Sequence, residues 1–231
     1  MSLLRAMKSE LSTISKHVIN GVAYTLCKGE KEDDKNRATV IIMPGYGYFT
    51  SAFTGLSSNL EKENIRSKLW KYNFFGDLEK NAEEMTEILL NKYYRQGREI
   101  NFIGHSLGCL IERDVLTRIP EPENWVRSAI FMAGPQKGTK TAWLNFFIPA
   151  CRDMLPGSDY LTELNQRELP KKVPITNIVS RMDYVILPWQ NALLPEQENI
   201  ENIILDDVGH VGMTERTDLI LYGLNRQILT Y

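Results

Sequence analysis

The stretch Gly104-His105-Ser106-Leu107-Gly108 decides the fold, because it lies between two segments of different apolar pattern. Residues 99–103 before it have the composition of a short buried strand, and residues 109–116 after it continue as a helix. A serine between a strand and a helix is presented on a sharp turn, with its hydroxyl available as a nucleophile. The two glycines suit this turn, because side chains there would collide with the crossing strand and helix. The pattern predicts an acyl-transfer enzyme with Ser106 as its nucleophile.

A second interpretation gives this serine no chemistry. Serine is a favoured N-cap residue and glycine is common in loops, so Ser106 would then only begin the helix. A nucleophilic serine differs from a capping one in its partners, because it needs a histidine base that is itself oriented by a carboxylate.

The candidates for the base are three histidines. His17 precedes the central strands and is typical of a surface or edge position, and the side chain of His105 is expected to point away from that of Ser106. His210 follows the apolar run 200–205, which has the pattern of a late strand. Because a loop at the end of a strand can offer a base to the nucleophile, His210 is the predicted general base.

The carboxylate is expected between the serine and the histidine in chain order. Asp183 follows a predicted strand at residues 173–179 and therefore lies in a loop just past a strand end. Other aspartates lack a preceding strand or are too near the histidine in sequence. They are Asp153, Asp159, Asp206 and Asp207. Asp183 is the predicted acid, and an ordinary turn residue is the alternative.

Two backbone N–H groups are predicted to stabilise the oxyanion of the tetrahedral intermediate. One belongs to Leu107, at the start of the helix where the dipole favours negative charge. The other is assigned to Tyr46, in the loop 44–48 that follows a predicted strand at residues 38–43. A simple turn is the alternative for this loop.

Taken together, these segments resemble the α/β-hydrolase superfamily and, within it, the small serine esterases and lipases. The matching parts, within residues 17–229, are Pro44-Gly45-Tyr46-Gly47, Gly104-His105-Ser106-Leu107-Gly108, Asp183 before Tyr184-Val185-Ile186-Leu187-Pro188, Asp207-Val208-Gly209-His210, residues 133–139 and residues 155–161. One departure is Pro44, where many members carry histidine. The resemblance implies a catalytic triad of Ser106, His210 and Asp183.

The order of segments agrees with that fold class. An opening helix and a strand or hairpin at residues 18–28 precede alternating strands and helices, which predict an α/β fold with a mostly parallel sheet and helices on both faces. Helices are expected at 51–63, 77–95 and 213–229, and strands at 66–72 and 128–132. A chain of 231 residues, 43% apolar and 24% charged, is expected to form a single domain over residues 1–231.

The alternation breaks at about residues 137–169, where an insertion near the active site is predicted. Its apolar residues either wall an acyl pocket or form ordinary core under a surface helix. They are Trp143, Leu144, Phe146, Phe147, Ile148, Met154 and Leu155.

Charge and cysteine usage limit the partners. A net charge of -2 argues against a nucleic-acid partner. The longest apolar stretch, residues 142–151, is too short to span a bilayer, whereas peripheral contact with lipid is compatible with the sequence. Three widely spaced cysteines and an amino-terminal segment without a secretory pattern predict a cytoplasmic protein. No metal or organic cofactor is expected.

The predicted reaction is hydrolysis of a carboxylic ester of an apolar or lipid-like acyl group through an acyl-enzyme. An acyltransferase, thioesterase or amidase with the same triad is the alternative. A non-catalytic binding protein on the same scaffold is a third, and it predicts that a triad member is missing.

Overall fold

The computed structural model describes residues 39–46 and 50–226, and the predicted opening helix and the strand or hairpin at 18–28 lie outside them. The described residues form a six-stranded sheet in the order β2-β1-β3-β4-β5-β6. Its strands are β1 (Thr39–Met43), β2 (Ser67–Leu69), β3 (Ile100–His105), β4 (Val126–Met132), β5 (Ile175–Ser180) and β6 (Ile200–Leu205). All neighbouring pairs are parallel, so their carboxyl ends meet at one edge.

Helices cover both faces of this sheet. They are α1 (Thr50–Lys62), α2 (Leu78–Lys92), α3 (Leu107–Arg118), α4 (Pro149–Asp153), α5 (Asp159–Gln166) and α6 (Thr217–Asn225). Alternate residues of a strand point to opposite faces. Accordingly, Ile41 and Met43 of β1 pack in one core cluster with α2 and α3, and Val40 and Ile42 pack in another with α1 and α6. The described chain has the predicted α/β-hydrolase fold.

The predicted elements are present, but several bounds differ. The strand expected at 66–72 spans only Ser67–Leu69, and the helix expected at 77–95 ends at Lys92. The helix expected at 213–229 is wrong in its start: a 3-10 turn, Gly212–Glu215, comes first, and α6 begins only at Thr217. Arg216 between them has φ -79° and ψ 61°, which is not helical. A continuous apolar period therefore concealed a break in the backbone.

The segment 137–169 contains no strand, as predicted. It consists of a 3-10 helix, Lys140–Asn145, followed by α4 and α5. Among the described residues, none of the helices combines the length and the apolar composition that crossing a bilayer requires.

Candidate active site

Ser106 lies at the turn between β3 and α3, in a strained conformation. Its φ is 54° and its ψ is -124°, a region that non-glycine residues rarely adopt. Its side chain makes no capping hydrogen bond to α3, although it occupies the N-cap position. The interpretation of Ser106 as an ordinary helix cap is therefore wrong.

The glycines on either side let backbone and side chains approach the turn closely. A Cβ on Gly108 would collide with the carbonyl oxygen of Met43 and lie 2.6 Å from that of Pro44, so the loop after β1 rests on the first turn of α3. A Cβ on Gly104 would meet the carboxyl group of Glu112 and lie 2.9 Å from the Cα of Cys109. The predicted steric reason for both glycines is confirmed.

Asp183 and His210 form a buried pair at the ends of β5 and β6. Oδ2 of Asp183 lies 2.8 Å from Nδ1 of His210. Its other oxygen, Oδ1, accepts hydrogen bonds from the backbone N–H groups of Val185 and Ile186, at 2.8 and 2.9 Å. Burial by itself raises the pKa of the Asp183 carboxyl, but the attraction of His210 and these hydrogen bonds outweigh it, so the pKa is lowered. The carboxylate is thus held charged against the imidazole.

The other predicted candidates for the acid have different partners. Asp206 pairs with Arg181 at 2.8 Å, and Asp207 lies 4.0 Å from Arg216. Asp153 accepts a hydrogen bond from the backbone of Leu78. Asp159 is exposed in the first turn of α5.

His105 joins Ser106 to the loop that carries His210. The Nε2 atom of His105 lies 3.0 Å from the carbonyl oxygen of His210, and the two ring centroids are 4.8 Å apart. Because a carbonyl can only accept, Nε2 carries the proton of His105. Burial first, and the nearby His210 second, lower the pKa of His105 to about 3, so the ring is neutral. Ser106 and His210 therefore lie at the same edge of the sheet.

Sequence reasoning missed this role of His105. The signal was its place in β3, next to the nucleophile, in a strand whose residues are all buried. Two hydroxyl groups that hold the loops were also missed. Ser180 donates to the carbonyl of Val208 at 2.6 Å, and Thr139 donates to the carbonyl of Val185 at 2.7 Å.

The two residues assigned to the oxyanion come from segments that meet at Ser106. Leu107 is the first residue of α3, where N–H groups have no acceptor within the helix. Tyr46 follows Gly45, and a Cβ on Gly45 would lie 2.9 Å from that of Ser106. Tyr72 steadies this loop by donating to the carbonyl of Pro44 at 2.6 Å. The use of both N–H groups as oxyanion donors stays a prediction.

The insertion places its apolar residues in two environments. Ile148, Met154 and Leu155 pack against the core, as one of the two interpretations holds. Four others are exposed, so that interpretation is wrong for them. They are Trp143, Leu144, Phe146 and Phe147.

A second buried carboxyl group lies beneath the turn. Glu112 of α3 is fully buried, and neither of its oxygen atoms has a hydrogen-bond partner. Burial raises the pKa of this carboxyl well above its ordinary value. Within residues 39–46 and 50–226, no group of three or more His, Cys, Asp or Glu side chains is arranged to hold a metal ion.

A comparison with protein-family models identifies the family of the chain. The model of the palmitoyl protein thioesterase family matches residues 39–172, more than half of the chain. The chain belongs to the palmitoyl protein thioesterase family. The matched region runs from β1 through the insertion and includes Ser106, Tyr46 and Leu107. Asp183 and His210 follow it. A comparison with curated proteins finds no significant match.

Three solved structures that resemble this member of the palmitoyl protein thioesterase family are two lipases and a lipase-esterase related protein. The mature lipase BlEst2 of Bacillus licheniformis has a TM-score of 0.65 at 14% identity, over 86% of this chain and 95% of the lipase. A lipase-esterase related protein of Clostridium acetobutylicum has a TM-score of 0.60 at 16% identity, over 82% and 94%. Lipase B of Aspergillus fumigatus has a TM-score of 0.61 at 16% identity over 74% of this chain, which spans only 45% of that lipase.

These similarities support the predicted superfamily. At such identities the solved structures show a shared fold, and the family match adds the class of protein. The chain is a hydrolase of the esterase, lipase and thioesterase type.

Proposed function

We propose that the protein is a serine hydrolase that cleaves carboxylic esters of an apolar or lipid-like acyl group. The observation that carries the proposal is the buried 2.8 Å contact between Asp183 and His210, at the sheet edge where Ser106 occupies a turn with φ 54°. A charged carboxylate on Nδ1 fixes the imidazole so that Nε2 is the basic atom.

In the proposed reaction, Ser106 Oγ attacks the acyl carbon while His210 Nε2 takes the hydroxyl proton. The tetrahedral intermediate places its oxyanion on the N–H groups of Tyr46 and Leu107. His210 then returns the proton to the departing alcohol, which leaves an acyl-enzyme on Ser106. Water repeats these steps, with its proton passing through His210, and releases the acid and the free serine. Asp183 remains ionised throughout and stabilises the imidazolium.

A thioester is the second candidate substrate, and the family match favours it. The leaving group is then a thiol, and every other step is unchanged. The same three residues serve an acyltransferase or an amidase, with another acceptor or another leaving group. A cytoplasmic location is part of the proposal, and it is compatible with the free, buried thiols of Cys109 and Cys151.

The test compares Ser106→Ala with the wild-type protein and with Ser67→Ala, a serine on β2. Turnover of p-nitrophenyl esters should fall about a million-fold in Ser106→Ala if the triad acts as a unit. A fluorophosphonate probe should label the wild-type protein and Ser67→Ala but not Ser106→Ala. Near-normal turnover by Ser106→Ala would refute the proposal, and an unlabelled wild-type protein would favour a binding protein.

The substrate class is tested with matched oxygen esters and thioesters of graded acyl length. A preference in kcat/KM for long acyl chains supports the apolar substrate. A higher kcat/KM for the thioester at equal acyl length would replace the primary candidate with the second. Assays with competing alcohols or amines reveal acyl transfer.

A further inference from the structure

An unusual cluster of exposed apolar side chains, which we call the apolar tip, lies in the insertion. Its residues are Trp143, Leu144, Phe146 and Phe147, with exposed fractions of 63%, 80%, 54% and 69%. The aromatic rings gather on one another: the centroids of Trp143 and Phe146 are 6.0 Å apart, and those of Phe146 and Phe147 are 6.2 Å apart. Exposed apolar clusters of this kind mark interaction surfaces.

The residues just before the apolar tip are attached to the loop that begins at Asp183. Thr139 and Thr141 both donate to the carbonyl of Val185, at 2.7 and 2.6 Å. The backbone N–H of Lys140 donates to the carbonyl of Leu187 at 3.0 Å. This loop adds further exposed apolar side chains beside the tip. They are Tyr184, Val185 and Leu187.

The segment that carries the apolar tip also carries exposed cations. Residues 137–152 contain Lys137, Lys140 and Arg152, all exposed, and no Asp or Glu. The acidic side chain in residues 181–191 is that of Asp183, which is buried. The chain as a whole is acidic, with a net charge of -2, so a carboxylate-free segment with three exposed cations departs from the rest of the sequence.

We propose that the apolar tip is a docking surface for a bilayer that contains anionic phospholipid. Such a bilayer offers an apolar layer beneath a sheet of negative charge. The apolar tip complements such a bilayer, because its aromatic and aliphatic side chains are flanked by cations. Trp143 and the two phenylalanines are of the types that settle at the level of the headgroups, with Lys137, Lys140 and Arg152 near the phosphates.

Docking has a consequence for the site, which rests on the proposed function. Because the residues just before the apolar tip are hydrogen-bonded to the Asp183 loop, a docked protein holds the candidate active site beside the bilayer. Acyl chains then reach Ser106 from lipid rather than from free solution.

The docking surface is tested by co-flotation with vesicles, using Ser106→Ala protein so that no hydrolysis alters the lipid. Vesicles of phosphatidylcholine alone are compared with vesicles that also contain phosphatidylserine. We expect binding to the second kind, weakened by added salt. The double variant Leu144→Ser/Phe147→Ser should bind about tenfold more weakly or worse, because two apolar side chains no longer leave water. Lys137→Gln/Lys140→Gln should lose roughly fivefold per cation.

The matched control is Ile88→Ser, which removes an exposed apolar side chain from α2 and should bind like the parent. Absence of binding to anionic vesicles overturns the proposal, as does equal binding by the parent and the Leu144→Ser/Phe147→Ser variant. Concentration-dependent self-association that this variant abolishes, without any vesicle binding, would make the tip a contact between copies of the chain. Turnover of a soluble ester is also measured for the tip variants in protein that retains Ser106. Unchanged turnover together with weaker vesicle binding locates the defect in docking and not in the proposed reaction.

Discussion

Two buried carboxyl groups close to Ser106 have opposite environments. Asp183, in the loop after β5, has a histidine and two backbone N–H groups as partners, and its pKa is lowered. Glu112, in the second turn of α3, has no hydrogen-bond partner at either oxygen, and its pKa is raised. Both carboxyl groups are buried. At Asp183 the partners outweigh the effect of burial on the pKa, whereas at Glu112 burial dominates.

The two environments suit different roles: Asp183 is placed for the proposed reaction, and Glu112 contributes to packing. A charged Asp183 can stabilise an imidazolium on His210, whereas the Glu112 carboxyl occupies the space that the missing side chain of Gly104 leaves below the turn. Variants on each side test this difference through turnover and through the free energy of unfolding.

Asp183→Asn should have the largest effect. The amide keeps the shape of the carboxylate but not its charge, and it favours the wrong tautomer of His210. We expect kcat to fall by about 10,000-fold with the fold retained. Steady-state kinetics and circular dichroism measure the two effects. A variant that keeps most of its turnover would remove Asp183 from the triad.

His105→Phe should have a smaller effect. The ring still packs, but it no longer donates to the carbonyl of His210. A displaced base should lower kcat by about 10 to 100-fold with little change in KM. If KM alone rises, the hydrogen bond does not position His210.

The same variant changes stability in acid. The pKa of His105 is about 3 when folded and ordinarily near 6.5, so the unfolded chain binds a proton first as the pH falls. The wild-type protein should therefore lose about 1.4 kcal/mol of unfolding free energy per pH unit between these values. His105→Phe lacks this contribution. Urea titrations at several pH values measure it, and equal slopes for the two proteins would contradict the neutral imidazole.

Thr139→Val should loosen the loop that holds Asp183. The hydroxyl of Thr139 donates to the carbonyl of Val185 and accepts from the N–H of Leu187 at 2.9 Å. Its loss should cost about 1–3 kcal/mol of unfolding free energy. Thr39→Val is a matched control, because the buried hydroxyl of Thr39 has no hydrogen-bond partner. Chemical denaturation of both variants measures the loss of unfolding free energy. Similar losses would mean that the hydrogen bonds of the Thr139 hydroxyl add no stability.

Glu112→Gln should leave kcat nearly unchanged and raise stability. The unfolded glutamate releases its proton above about pH 4.3, while the folded one keeps it until its raised pKa is reached. Folding of the wild-type protein should therefore weaken by about 1.4 kcal/mol per pH unit in that window. Thermal melts at pH 4 and pH 8 measure this, with the gain of the variant expected at pH 8. A gain of the same size at both pH values would contradict a raised pKa of Glu112.

Local patterns were enough to predict the fold and the order of the candidate site. Ser106, Asp183 and His210 each follow a strand, and the parallel strands of the structure end at one edge. Because of this regularity, residues that are far apart in the sequence lie close together in the fold. The contact between His105 and the carbonyl of His210 joins residues 105 positions apart, and no pattern in either segment indicates it.

Burial was harder to predict than position. An apolar run such as residues 143–147 is compatible with core or surface, because the sequence does not show what covers it. Glu112 shows the reverse problem. A charged residue on a helix normally faces water, but α3 is buried over its first ten residues, including this glutamate.

The place of β6 in the sheet gives the candidate site a late assembly step. Among the described strands β6 is last in the chain and lies at the edge, paired only with β5, and His210 follows it. A nascent chain that has not yet delivered this strand lacks His210, the base of the proposed triad. Emergence of hydrolytic activity during synthesis or refolding therefore reports the docking of the final strand, a long-range event that helix formation does not detect.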